Sequence, residues 1–193
     1  MKKSIEEYIS KSARVIDNSI NLSTNIEKSV LELIKALKNG KKIILFGNGG
    51  SAADAQHIAA ELVGRFQLKR ESLPAIALTT DSSVLTSIAN DFSYDQVFSR
   101  QCESLVSNGD AVIGLSTSGN SKNVFNGLKV SKTLGATTIG LLGNDGGIIK
   151  NIVDISIIVN SSSTPHIQEV HRVIYHIICN IVELEMKNHS ERS

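Results

Sequence analysis

Residues 43–66 read IILFGNGGSAADAQHIAAELVGRF, and three patterns follow one another in them. Ile43, Ile44, Leu45 and Phe46 form an unbroken apolar run, the pattern of a strand covered on both faces. Gly47, Gly49 and Gly50 then allow a tight turn, and from about Ser51 the pattern is helical. A helix start presents unpaired N–H groups and the positive end of a dipole, so the turn is a natural seat for a phosphate or another anion. His57 and Glu61 stand four residues apart on that helix, hence on one face.

Working outward, residues 75–78, 110–115, 137–142 and 155–159 give four more short apolar strands, with helical patterns in the gaps. Asp81 is placed to cap a helix running to about Asn90. Ser93 with Gln96 opens one through Leu105, and another spans residues 121–134 before Gly135. Strands alternating with helices imply right-handed crossovers, hence an α/β fold with a doubly wound, flavodoxin-like parallel sheet of about five strands. A last helix is expected over residues 165–186, with Pro165 in its first turn, followed by a frayed tail over 187–193. Upstream, Ser4 with Glu7 and Thr24 with Glu27 have capping-box spacing, and Gly40 stands where a helix end favours a left-handed residue. Two helices over residues 1–40 therefore precede the α/β core of residues 41–186, as an arm against another subunit or as a layer on their own sheet. No repeat or linker divides the 193 residues, so a single domain is expected.

Charge and composition exclude several classes. Lys and Arg number 20 against 19 Asp and Glu, a balance that offers neither a nucleic-acid footprint nor a membrane-surface patch. The opening MKKSIEEYISKS turns polar after two lysines, without the apolar stretch of an export signal, and no run is apolar enough to span a bilayer. Cys102 and Cys179 lack the spacing of a disulfide framework or zinc knuckle, and all of this predicts a cytoplasmic protein with a small-molecule partner.

GNGGSA fits the loose dinucleotide fingerprint, but that fingerprint wants an acidic residue about 20 positions on, at the end of the second strand. Here that strand ends later, in Leu78-Thr79-Thr80, and Asp81 after it is placed as a helix cap, while no Gly-Lys-Ser/Thr completes a P-loop. A second loop, Leu115-Ser116-Thr117-Ser118-Gly119-Asn120-Ser121, ends a strand and opens a helix. Its short hydroxyls suit a phosphomonoester, whose oxygens accept several hydrogen bonds, although a serine-rich turn without a ligand has the same composition. On the last helix, Gln168 and His176 are about 80° apart and roughly 12 Å along the axis. With His57 and Glu61 they would supply two imidazoles, a carboxylate and an amide oxygen, a mixed set that suits zinc or a similar divalent ion. Singly, each also reads as an ordinary polar contact.

FGNGGSAADAQHIAAELVGRF, IANDFSYDQVFSRQ, LSTSGNSKNV and IQEVHRVIYHIIC, in that order, resemble the phosphoheptose isomerases of the sugar isomerase (SIS) domain superfamily. The resemblance implies conversion of sedoheptulose 7-phosphate to D-glycero-D-manno-heptose 7-phosphate, toward nucleotide-activated heptose for lipopolysaccharide or capsule. It also implies a homotetramer with sites at subunit interfaces. Carried over by position, it places His57, Glu61, Gln168 and His176 on a divalent metal, with Glu61 and His176 the catalytic acid/base pair. Asn48, Gly49, Gly50, Ser51, Asn90, Asp91, Ser116, Thr117, Ser118, Ser121 and Gln168 fall at substrate-binding positions. His166 departs from the arginine of many relatives. The rival reading is a non-catalytic SIS regulator similar to the DnaA initiator-associating protein, which has no need of the four candidate ligands together.

Overall fold

The computed structural model describes residues 1–190. Its five strands are β1 (Ile43–Gly47), β2 (Ala75–Ala77), β3 (Ala111–Ser116), β4 (Thr137–Gly143) and β5 (Ile155–Val159). They form one parallel sheet, as expected, and its order is β2-β1-β3-β4-β5. Gly47 pairs with Leu115 and Ser116 with Leu142, so the glycine turn and the serine loop leave neighbouring strands at the same edge.

Every residue of β1 is buried, and successive side chains enter different cores. Ile43 and Leu45 pack with Ile58 of α3 (Gly50–Val63), Leu33 of α2 (Ser23–Lys38) and Ile174 of α7 (Thr164–Ser190). Ile44 and Phe46 face the other way, into a cluster with Phe98, Val124 and Leu128. There Phe46 stacks on Phe98 with centroids 5.0 Å apart. Burial of one such side chain contributes about 2 kcal/mol, so both sheet faces must be covered for β1 to persist. The helices of the second face are α4 (Ser82–Asp91), α5 (Ser99–Leu105) and α6 (Lys122–Thr133).

Asp81 caps α4 as expected, accepting the Val84 N–H at 3.0 Å, and Gly40 has a φ of 67°. Other expected boundaries move. The first helix, α1, spans Lys2–Asn18 and begins before Ser4, so Ser4 and Glu7 form no capping box; Lys2–Glu6 and Lys3–Glu7 pairs at 3.8 and 3.9 Å support the earlier start. A 3-10 turn over Ser19–Leu22 joins α1 to α2 without breaking the helical path, which leaves Thr24 no helix start to cap. The helix expected from Ser93 to Leu105 divides into a 3-10 turn at Tyr94–Gln96 and α5, and the division lets Val97 and Phe98 both enter the core. At the other end α7 continues through Lys187 to Ser190 rather than fraying, with Lys187 and His189 at the negative end of its dipole. The remaining tail, 191–193, lies outside the described residues. Among those described, no helix is long and apolar enough to cross a membrane.

Candidate active site

The sheet order reverses between β1 and β3, and the helices that follow these strands cover opposite faces, so a crevice opens at their carboxyl ends. On the β1 side, Gly49 adopts φ 57° and ψ −120°, a conformation closed to most side chains, and α3 begins at Gly50. The Gln168 side chain lies against this start; a Cβ at Gly50 would run into its amide. Asn48 is held from the α6 side, where its amide and that of Asn123 exchange hydrogen bonds of 2.8 and 2.9 Å. The Tyr94 hydroxyl donates to the same Asn48 oxygen at 2.9 Å, so the Asn48 side chain braces the turn.

On the β3 side, Ser116 Oγ lies 3.0 Å from Ser121 Oγ and 3.4 Å from Ser118 Oγ. Ser121 stands at the start of α6 without a side-chain cap bond, and the Val124 N–H is taken by Asn123 instead. Only Ser118 is used as a turn residue, accepting the Asn120 N–H at 3.1 Å. Three hydroxyls are thus gathered beside the glycine turn, with Thr117 half-buried between them.

Helices α3 and α7 run side by side in the same direction. Gln168 meets Gly50, Arg172 Nη2 meets Asp54 Oδ1 at 3.2 Å, and the Tyr175 hydroxyl lies 3.5 Å from His57 Nδ1. This register brings the His57 and His176 rings to 5.3 Å centroid separation, while His57 Nε2 lies 2.9 Å from Glu61 Oε1. Desolvation and the neighbouring His57 lower the His176 pKa against the opposing pull of Glu61, which keeps its imidazole neutral at neutral pH.

Asp54, Arg172 and Tyr175 carry no assigned role in the sequence reading. Tyr175 donates to the buried Asp54 at 3.3 Å and accepts from Arg172 Nε at 3.0 Å; burial, then the Asp54 charge, pushes its pKa up to about 12. Its oxygen lies behind His57, so that imidazole has a partner for either tautomer: Glu61 receives a proton on Nε2 and Tyr175 one on Nδ1. The one signal in the sequence was that Asp54 precedes His57 by a single helical turn.

Not every candidate gathers here. Asn90 and Asp91 are exposed at the end of α4, their side chains bonded to each other at 2.8 Å. Gln168 lies at the glycine turn, one end of the α3–α7 seam, and His176 farther along it. Among the described residues no three His, Cys, Asp or Glu side chains are gathered as a metal ion would need. His166 is buried and tied to α1, with its Nδ1 3.2 Å from Ser12 Oγ and 3.1 Å from Glu169 Oε2.

Comparison with known proteins bears on the family and the fold. The SIS domain family profile matches residues 7–143. A phosphoheptose isomerase of Aliarcobacter butzleri is 50% identical over 184 residues, 95% of this chain and 97% of the relative. Solved phosphoheptose isomerases from Neisseria gonorrhoeae and Francisella tularensis are 37% and 32% identical, with TM-scores of 0.89 and 0.91. Each alignment covers 94% of this chain and 97% of the other. Identity at this level along nearly the full length of both partners goes beyond a shared fold, and this chain belongs to the phosphoheptose isomerase family of SIS-domain proteins.

Proposed function

We propose that the protein is an isomerase that converts sedoheptulose 7-phosphate to D-glycero-D-manno-heptose 7-phosphate, on the way to nucleotide-activated heptose for lipopolysaccharide or capsule. The observation that carries this reading is that β1 and β3 end side by side in a glycine turn and a hydroxyl cluster fit for a phosphate, while the helix that leaves the glycine turn carries a carboxylate grouped with two imidazoles fit for proton transfer. Ketose-to-aldose conversion moves a proton from C1 to C2 through an enediol. The Glu61 carboxylate takes the C1 proton and returns it at C2, and the neutral His176 imidazole shuttles the proton between the two sugar oxygens. Ser116, Thr117, Ser118 and Ser121 hold the phosphate and so fix its distance to the reacting carbons. The backbone of Asn48, Gly49, Gly50 and Ser51, together with Gln168, lines the same crevice, and Asn90 and Asp91 are assigned to the sugar as well.

His57, Glu61, Gln168 and His176 suit a divalent ion, most simply zinc, by donor type. The acceptor behind His57 supports this, because metal-bound imidazoles direct their second ring N–H to such a partner. Such an ion would polarise the substrate carbonyl. We further read the protein as a cytoplasmic homotetramer with its sites at subunit interfaces. Support comes from an apolar groove of about 990 Å³ between α1, α2 and α7, lined by Ile20, Val30, Ile34, Ile177 and Ile181. A non-catalytic SIS regulator would have no use for the paired His57 and Glu61 beside His176. The test is to incubate purified protein with sedoheptulose 7-phosphate, before and after chelation and readdition of zinc. An aldose phosphate that appears, stops with chelation and returns with metal is expected. No aldose under any of these conditions would sink the isomerase reading, and full activity after chelation would sink the metal.

A further inference from the structure

Glu183 lies two turns beyond His176 on α7 and is fully buried. Its carboxylate accepts the backbone N–H groups of Phe66, Gln67 and Leu68 at 2.8, 2.7 and 2.8 Å. Arg70 Nε stands 3.2 Å from the same carboxylate, the two side chains being 2% and 0% exposed. Burial raises the Glu183 pKa, but the three N–H donors and the Arg70 charge outweigh it and hold the group below its ordinary value, so it is ionised at neutral pH.

What the pair touches gives it a role beyond anchorage. Arg70 Nη2 donates to the backbone carbonyl of Glu61 at 2.8 Å, in the last turn of α3, where carbonyls lack helical partners. Its Nη1 donates to the Glu71 carbonyl at 2.7 Å. The Phe66 ring, on the segment that Glu183 holds, lies 5.7 Å from the His176 ring. One buried carboxylate therefore reaches the backbone of one catalytic candidate and the ring of the other.

Asp110 makes the contrast. It is equally buried and accepts the Lys42 and Ser107 N–H groups at 3.1 and 2.8 Å and Lys42 Nζ at 2.7 Å. It stands just before β3, outside the α3–α7 seam, and its bonds go to Lys42 and Ser107 rather than to any residue placed in the site.

We propose that Glu183 and Arg70 are a positioning pair for the isomerase reaction: they fix residues 66–70 so that Arg70 and Phe66 set the spacing between Glu61 on α3 and His176 on α7. This rests on the isomerase reading above. The test compares Glu183→Gln and Arg70→Lys with Asp110→Asn, using kcat and KM on sedoheptulose 7-phosphate, thermal midpoints, and NMR of the His57 and His176 imidazoles. Displacement of reacting groups by about 1 Å is enough to reduce kcat about ten- to hundredfold. That loss is expected for both pair variants, with KM little changed and the His176 resonances shifted. Asp110→Asn should lower the midpoint comparably and leave kcat and both imidazoles unchanged.

Wild-type kcat and unmoved imidazoles in the pair variants would overturn the proposal, as would an equal loss of kcat in Asp110→Asn. If Glu183→Gln does not fold, Arg70→Lys decides, because it keeps the charge and the three amide bonds while losing the fork that reaches Glu61. A wild-type protein without turnover would sink the isomerase reading instead. The imidazole resonances would then judge the pair by themselves, standing if they shift in both variants and falling if they do not.

Discussion

Glu61 is the residue on which the proposed chemistry turns. Glu61→Gln preserves shape and much of the hydrogen bonding but removes the base, so turnover should fall by about two orders of magnitude or more with a smaller change in KM. Ser118→Ala should instead raise KM, since its exposed hydroxyl is a proposed phosphate contact and makes one turn bond. Steady-state kinetics of both variants separate the roles, and near-normal turnover in Glu61→Gln would move the base to His176. His171 governs a different property. It is fully buried, with Nε2 3.0 Å from the Leu142 carbonyl and Nδ1 without a hydrogen-bond partner. Burial drives its pKa from 6.5 down to about 4 against the opposing pull of Leu142 and Asp54. As pH falls below 6.5 the unfolded chain takes up a proton that the folded chain refuses, so stability should decline until about pH 4, by on the order of 3 kcal/mol. His171→Leu should flatten most of that decline in urea unfolding measured between pH 7 and 5, leaving the smaller contribution of His176, whose pKa is lowered in the same sense.

At the scale of elements, the site is a seam between two parallel helices, and Gly50 sets how closely they approach. A Cβ there meets the Gln168 amide, so Gly50→Ala must displace α7 or turn Gln168 away. The expected cost is about 1–3 kcal/mol of stability, as for other overpacked contacts, with at least a tenfold loss of kcat/KM. Wild-type kinetics with Gln168 displaced in a crystal structure would remove Gln168 from the site. The same seam explains a limit of sequence reading. Spacing located His57 with Glu61, because four residues on one helix are neighbours whatever the helix packs against. Asp54 as the partner of Arg172 and Tyr175 depends on the register of α3 against α7, which no local pattern encodes.

For the whole molecule, α1 is the element left most open. None of its residues is buried, and Ile5, Tyr8 and Ile9 are exposed on it while Ile20, Ile177 and Ile181 are exposed around the neighbouring groove. The proposed tetramer would cover this apolar face with a second copy, and light scattering should then give a tetramer mass. Ile177→Glu, which puts a charge in the groove, should shift that mass toward smaller species while circular dichroism stays helical. A monomeric wild type at micromolar concentration would overturn the assembly and the interface location of the site together.

The sequence by itself determined the strands, their alternation with helices and the loops at their carboxyl ends, because apolar periodicity and glycine or proline placement act within a few residues. The doubly apolar run 43–46 and the Asp81 cap were legible on that ground. The capping boxes at Ser4 and Thr24 were misread on the same ground: a local motif says a helix can start there, and the longer helical path through residues 2–38 decided otherwise. Only the tertiary structure decided which side chains share a space. It placed Gln168 over Gly50, His176 beside His57, His166 against Ser12 of α1, and Glu183 under the segment after α3. Each of these pairs is separated by more than 100 positions, and their contact follows from how the core packs the helices onto the sheet.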